Sequence, residues 1–296
     1  MALPLSQAIV EQWVSLTKGQ FNVRDIWNEI GIESSEGKHH LRIILERLEQ
    51  KGIIKQLEKG YGNYRKLDNE VTEMDWQSAD PTKIVPLKFP FGEHEFALIY
   101  PKSIIAVAGS KNVGKTEYLY EFLKLNMDSF LIDLYNSETS PEQMKSRFLS
   151  LGIVPPVKFR VFERYDNFAD VVHPDHISII DYLDLNSEVY LVGAEIDAIY
   201  RKLKQGVAII GLQKPPPTKV LIRGKEKLVE RDLAYGGGFT AKRASLYITM
   251  GSNKLKLLYA KTPKQKKIIP SNMTFTFSFS QEGHFENIQR SYGEDL

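Results

Sequence analysis

An α/β fold with a mostly parallel sheet, preceded by a small helical unit, is predicted by three features of this 296-residue sequence. From about residue 87 onward, short apolar runs alternate with stretches of helical apolar spacing, as a sheet covered by helices requires. A glycine-rich loop, Gly109-Ser-Lys-Asn-Val-Gly-Lys115-Thr116, joins one such run to one such stretch. Ahead of them, residues 1–67 show helical spacing followed by two short strand-like runs.

Taken in order, residues 5–16 and 23–30 each read as a helix. Ser34-Ser35 can cap a third, which carries Leu41, Ile44, Leu45 and Leu48 on one face and stops at Gly52. Residues 53–57 and 64–67, joined across Gly60 and Gly62, make a hairpin. Three helices and a hairpin form the winged-helix pattern, whose third helix commonly enters the DNA major groove. Lys38 and Arg42 are available for that contact, with His39, His40 and Arg47 beside them. Ten Lys/Arg against eight Asp/Glu make residues 1–67 barely basic, so a protein partner is the competing reading. Residues 68–86 are polar and acidic without periodicity and read as a linker, leaving 87–296 for the α/β domain.

Within that domain, residues 103–108 read as a buried strand and 117–124 as the helix after the glycine loop. Further strands are expected at 130–134, 158–162, 177–180 and 207–212, with helices at 141–151, capped by Ser140, and at 187–204. Residues 245–250 and 254–260 suggest a meander, and 274–280 alternates as one more strand.

The loop fits G-x-x-x-x-G-K-[ST] between a strand and a helix, the setting in which backbone N–H groups and a helix N-terminus surround phosphates. Gly109, Ser110, Lys111, Asn112, Val113 and Gly114 form the cradle. Lys115 would reach the β- and γ-phosphates, and Thr116 would hold Mg²⁺. The expected ligand is a nucleoside triphosphate, taken as ATP. Asp181 ends an apolar run and is the carboxylate expected to hold the water shell of Mg²⁺ from a neighbouring strand, with Asp184 as the alternative. Glu138, expected at the end of a strand beside the loop strand, would orient and deprotonate an attacking water. Gln213, directly after an apolar run, has the placement of a γ-phosphate sensor. His173 and His176 flank Pro174 and Asp175 with no further ligands and read as structural.

Composition narrows the classes. The absence of cysteine excludes disulfides, thiolate catalysis and thiolate zinc sites. No apolar run approaches the roughly 20 residues of a membrane span, and the N-terminus lacks a signal pattern, so a soluble, cytoplasmic protein is expected. The net charge of +2 is unevenly spread: residues 214–243 carry eight Lys/Arg against three Asp/Glu, and residues 254–267 carry six Lys and no acid. Residues 214–239 read as a mobile basic loop suited to a nucleic-acid backbone, with Lys219, Arg223, Lys225, Lys227 and Arg231 as its contacts.

Four further stretches carry a family resemblance: Asn136-Ser-Glu-Thr-Ser-Pro-Glu-Gln-Met-Lys-Ser-Arg147, Ile179-Ile-Asp-Tyr-Leu183, Ala208-Ile-Ile-Gly-Leu-Gln-Lys214 and Gly236-Gly-Gly-Phe-Thr240. With the loop they resemble the motif series of RecA-like P-loop ATPases of the DnaB-type helicase branch, most of all phage-encoded members that carry only this core. The likeness spans roughly residues 85–268. It implies that Glu138 is the catalytic carboxylate and that Gln213 couples nucleotide to a DNA-binding loop. It also implies rings or filaments with ATP at subunit junctions, where a neighbour supplies basic finger residues. Lys254-Leu-Lys-Leu-Leu-Tyr-Ala-Lys-Thr-Pro-Lys264 is similar to that finger strand, which puts Lys261 and Lys264 in the role. The usual Lys-x-Arg stands here as Lys-x-x-Lys, and lysine lacks the bidentate fork of arginine.

The expectation is thus a homo-oligomeric, DNA-dependent ATPase using ATP and Mg²⁺ on single- or double-stranded DNA, with a replication or recombination protein as partner and no membrane. Its compartment would be the cytoplasm, a host's if the chain is phage-encoded. The alternative is an ATP-switched helicase loader, recombination mediator or DNA-binding initiator that does not unwind.

Overall fold

The computed structural model describes residues 5–17, 19–58, 60–68, 71–183, 191–222, 225–265, 270–271 and 273–291, with backbone alone at 220–222, 225 and 227. The chain divides into two compact units, Met1–Ala79 and Asp80–Leu296.

The first unit runs α1 (Gln7–Leu16), β1 (Gln20–Asn22), α2 (Val23–Ile30), α3 (Ser35–Gln50), β2 (Ile54–Gln56) and β3 (Asn63–Lys66). Ser6 and Ser34 accept hydrogen bonds from Ile9 and Gly37 amides at the starts of α1 and α3, and Asn22 with Asp25 closes a capping box on α2. Val10, Val14, Ile26, Leu41, Ile44, Leu45 and Leu48 are buried together, so the 3.6-residue period read from the sequence is the packing period. The first strand was not anticipated, because three residues are too short to show alternation. It pairs antiparallel with β3, and Phe21 stacks on Tyr64 at 5.9 Å. On α3, Lys38 lies with Nζ 4.8 Å from the Trp27 ring centroid, while Arg42 is exposed.

The second unit begins with an irregular stretch that includes one 3₁₀ turn, Glu93–Glu95. Val85, in the segment read as linker, donates its amide to Ile99 O at 2.7 Å, and Leu87 is in the core. There follow β4 (Ser103–Gly109), α4 (Lys115–Asn126), β5 (Ile132–Asn136), α5 (Pro141–Ser150), β6 (Arg160–Glu163), α6 (Phe168–Val171), β7 (Ile177–Leu183), α7 (Leu191–Lys202) and β8 (Val207–Gln213). The remainder is β9 (Thr218–Ile222), β10 (Lys225–Val229), α8 (Gly238–Ala241), β11 (Ala244–Gly251), β12 (Lys254–Ala260), β13 (Thr274–Phe279) and β14 (Phe285–Ser291).

The large sheet has the order β14-β13-β12-β11-β4-β8-β7-β5-β6. Strands β11, β4, β8, β7, β5 and β6 are mutually parallel, and β12, β13 and β14 continue as an antiparallel meander. This is the mostly parallel α/β fold expected. Side chains alternate across β4: Ile105 and Val107 join one core layer with Leu119 and Phe122 of α4, while Ile104, Ala106 and Ala108 join the other with Ile196 and Ile199 of α7. Burial on both faces is why these strands read as unbroken apolar runs.

One expectation is corrected. The segment read as a mobile basic loop contains a β-hairpin: β9 and β10 pair antiparallel from Ile222↔Lys225 to Val229↔Thr218, built on β-branched residues interleaved with lysines. The helix expected over 187–204 is described from Leu191 to Lys202, and Asp184 lies outside the described residues. Among the described residues no helix is long and apolar enough to cross a membrane.

Gly206, in the turn into β8, sits against backbone: a Cβ there would meet His176 O at 2.3 Å and Pro174 O at 2.8 Å. Both oxygens accept local amide bonds, from Val207 and from Lys204 and Gly206 respectively, so neither is free to retreat. Gly206→Ala is expected to destabilise the second unit by about 2 kcal/mol. Urea unfolding of the variant checks this, and an unchanged midpoint would show that the turn relaxes.

Candidate active site

The site is built at the carboxyl ends of the parallel strands, where the loop after β4 turns into α4. Gly114 caps α4 with φ +94°, a left-handed conformation natural to glycine, and contributes no side-chain cap. A Cβ at Gly114 would also strike the Phe279 ring at 2.7 Å. An α-helix of 12 residues begins here with its first amide groups lacking a side-chain acceptor at the cap, which is the chemistry of an anion cradle.

Lys115 is buried, and its Nζ donates to Gly109 O at 3.0 Å, Ser110 O at 2.8 Å and Gln213 Oε1 at 3.1 Å. Burial depresses its pKa below the ordinary lysine value, against the opposing charges of Asp181 and Glu138. The neighbouring ammonium of Lys214 pushes it further down. An anion over the loop would relieve both effects.

Thr116 donates from Oγ1 to Asp181 Oδ1 at 3.2 Å. Asp181 closes the apolar half of β7, and burial raises its carboxyl to about 6, with Glu138 adding to the rise and Thr116 and Lys115 opposing it. Its Oδ2 is buried and makes no hydrogen bond among the described residues. A buried carboxylate oxygen without a donor, beside a threonine hydroxyl, is a donor set that fits a hard divalent cation. Thr116 and Asp181 are the residues that would hold Mg²⁺.

Sequence order misled on one point. Asp181 was expected on a strand neighbouring the loop strand and Glu138 beside it, but β8 lies between β4 and β7, and β5 is further out still. The two reach the loop because α4 lies on the same sheet face across β4, β8 and β7, which carries Thr116 over the end of β7. The inserted strand in turn delivers Gln213 to Lys115.

Glu138 is held at the tip of a closed turn. Asn136 donates from Nδ2 to Thr139 O at 2.6 Å, and the Thr139 amide returns a bond to Asn136 Oδ1 at 3.0 Å. Ser137 ties this turn to β7: its amide donates to Asp181 O at 3.0 Å, and its Oγ accepts from the Tyr182 amide at 3.1 Å. Glu138, Lys115, Thr116 and Gln213 line one cavity of about 480 Å³.

The same cavity is lined by residues the sequence reading left without a role. Arg147 of α5 faces it, and its charge draws down the raised carboxyl of Asp181. Phe279 and Gly283 arrive from the β13–β14 hairpin, whose His284 pairs through Nδ1 with Glu117 Oε1 at 2.7 Å. The Arg147 position was visible one helical turn past Met144, but only the fold shows which way it faces. Lys214, the residue after Gln213, is 2% exposed and donates to Thr249 Oγ1 at 3.1 Å and Met250 O at 3.2 Å.

Other predicted residues lie elsewhere. Lys261 and Lys264 follow β12, at the end of the sheet where β4 starts, so they do not join this chain's loop. Lys219 is paired with Glu226 at 3.1 Å across the hairpin, and Arg231 is exposed just beyond β10. Arg223 lies outside the described residues, as do the side chains of Lys225 and Lys227. Lys38 and Arg42 belong to the first unit.

No family model and no curated protein matches this sequence. Among solved structures the chain is similar to a KaiC-like protein from the hyperthermophilic archaeon Pyrococcus horikoshii OT3, with 13% identity and a TM-score of 0.48, over 72% of this chain and 100% of that one. The strand order and the loop's position within it give residues 80–296 a mostly parallel α/β fold with a glycine-rich loop at the carboxyl end of an interior strand.

Proposed function

We propose that this chain is a nucleic-acid-dependent ATPase of the RecA/DnaB-like class, which assembles on DNA and couples ATP hydrolysis to translocation or remodelling. The observation that carries the ATPase reading is the convergence of Lys115, Thr116, Asp181, Glu138 and Gln213, drawn from four separate strand ends, on one loop. Lys115 would bind the β- and γ-phosphates, exchanging carbonyl acceptors for phosphate oxygens. Glu138 would orient a water and take its proton. Mg²⁺, when bound, supplies positive charge against the phosphates. Gln213 would report the γ-phosphate: its side chain touches Lys115 and its carbonyl accepts from Tyr235 N at 2.9 Å, beyond the basic hairpin.

Lys219, Arg223, Lys225, Lys227 and Arg231 would contact a nucleic-acid backbone, and Lys261 and Lys264 would act on the nucleotide of a neighbouring copy. The first unit is read as a winged helix that directs the assembly through Lys38 and Arg42, or through a protein partner. One observation favours the switch reading, a loader or mediator without unwinding: no arginine stands in the finger segment, and lysine binds phosphate as a point charge only.

Lys115→Ala is expected to weaken Mg-ATP binding by roughly ten- to a hundredfold, the loss of a charge-assisted phosphate contact. Equilibrium titration with and without single-stranded DNA measures it, and retention of wild-type affinity would sink the reading. Strand displacement by the wild type separates the motor from the switch.

A further inference from the structure

Glu117 and Glu121 stand one turn apart on α4, so their side chains share a helix face. The β13–β14 hairpin meets that face: His284 Nδ1 lies 2.7 Å from Glu117 Oε1, and the Phe285 amide donates to Glu121 Oε1 at 3.4 Å. One donor atom from each of Glu117, Glu121 and His284 can be taken so that all three lie within 4.8 Å of one another. Among the described residues no Lys or Arg is ion-paired with either carboxylate, so the two share a single imidazole. The Glu117 side chain is 14% exposed and that of His284 21%. At least one negative charge is therefore left without a partner in a half-buried site, which is costly.

The imidazole is held in place by the hairpin itself. The His284 amide donates to Ser280 Oγ at 3.1 Å, the Ser280 amide to His284 O at 2.9 Å, and the Gly283 amide to Ser280 O at 3.0 Å. Nε2 of His284 is buried and makes no hydrogen bond among the described residues, with Glu282 Oε2 standing 3.6 Å away. A neutral ring that donates Nδ1–H to Glu117 would turn the lone pair of Nε2 toward that carboxylate. A ring that gives Nδ1 to a metal carries its proton on Nε2 instead, and ligating histidines commonly direct that N–H to a carboxylate. Glu282 is placed for the second tautomer.

We infer that Glu117, Glu121 and His284 bind a divalent transition-metal ion of the zinc class, for which two carboxylate oxygens and one imidazole nitrogen are a suitable donor set. Donors around zinc stand about 3.5 Å apart, so the widest pair contracts by roughly 1 Å on binding. The ion joins α4 to the hairpin whose Phe279 and Gly283 line the cavity beside the glycine loop. It shares no ligand with the Thr116–Asp181 pair.

The test uses the full chain stripped of metal, without nucleotide, and Zn²⁺ as the probe, titrated in competition with a chromogenic chelator. The wild type is expected to bind one equivalent per chain, and His284→Ala and Glu121→Gln each to weaken that binding by about tenfold or more. Circular dichroism confirms folding, and Glu121→Gln, which keeps the size of the side chain, decides the matter if His284→Ala does not fold. Asp181→Asn and the pair His173→Ala with His176→Ala should bind zinc as the wild type does. Absence of stoichiometric binding, a loss smaller than about tenfold in either folded site variant, or an equal loss in Asp181→Asn or the paired histidine variant overturns the inference. Because no nucleotide is present, that failure leaves the ATPase reading untouched, and a Lys115→Ala protein with wild-type Mg-ATP affinity leaves the metal site standing.

Discussion

Glu138→Gln is expected to lower ATP hydrolysis by about 10²- to 10⁴-fold while ATP remains bound, the loss typical of removing a general base. The amide keeps the shape of the carboxylate and its place in the Asn136–Thr139 turn, so the cavity beside Lys115 is preserved. What disappears is a negative charge that presently raises the Asp181 carboxyl and opposes the depression of the Lys115 ammonium. Asp181 should then ionise more readily and Mg-ATP bind as tightly as before or more so. Steady-state hydrolysis and equilibrium binding on the same preparation distinguish this from a folding defect. A variant keeping more than a tenth of wild-type turnover would remove Glu138 from the catalytic role and turn attention to Arg147 and Gln213.

Stability should fall as pH rises from 5 to 8 through a carboxyl that does not line the cavity beside the glycine loop. Glu93 is fully buried, and burial lifts its carboxyl from 4.5 to about 7, despite hydrogen bonds from Tyr118 Oη at 2.7 Å and the Phe91 amide at 3.0 Å. A folded-state pKa above the unfolded value means that the folded chain holds the proton more tightly. The stabilisation is therefore complete below about 4.5 and lost as pH passes 7, amounting to about 3 kcal/mol for this shift. Glu93→Gln, which imitates the protonated acid, should flatten that dependence: similar to wild type at pH 5 and more stable at pH 8. Urea unfolding at the two pH values measures the difference. Equal slopes in both proteins would show that Glu93 does not titrate in this window.

Much of the candidate site was legible because its parts are local in sequence. The stretch from Gly109 to Thr116 is contiguous, and Asp181 and Gln213 each follow an apolar run whose end is visible. Glu138 was found the same way, two residues past β5. What could not be read was the lateral order of strands, since hydrophobic runs state that a strand is buried but not which strand lies beside it. The intervention of β8 between β4 and β7 is the case in point. Phe279 and Gly283 reach the loop through a hairpin whose second strand, β14, is mostly exposed and lacks an alternating signal. The short β1 and the β9–β10 hairpin were missed for opposite reasons, one for brevity and the other because its lysines disguised the β-branched alternation.

The interposed strand also governs when the protein becomes competent during folding. Thr116, Glu138, Asp181 and Gln213 meet only after β4, β8, β7 and β5 have all taken their places. Those pairings are parallel and long-range, the class of contact whose loop-closure cost makes folding slow. Helix α4 is local and should form early. In refolding experiments, helical signal should therefore return before nucleotide affinity, and a chain stopped between α4 and β8 would carry the whole glycine loop without its glutamine partner.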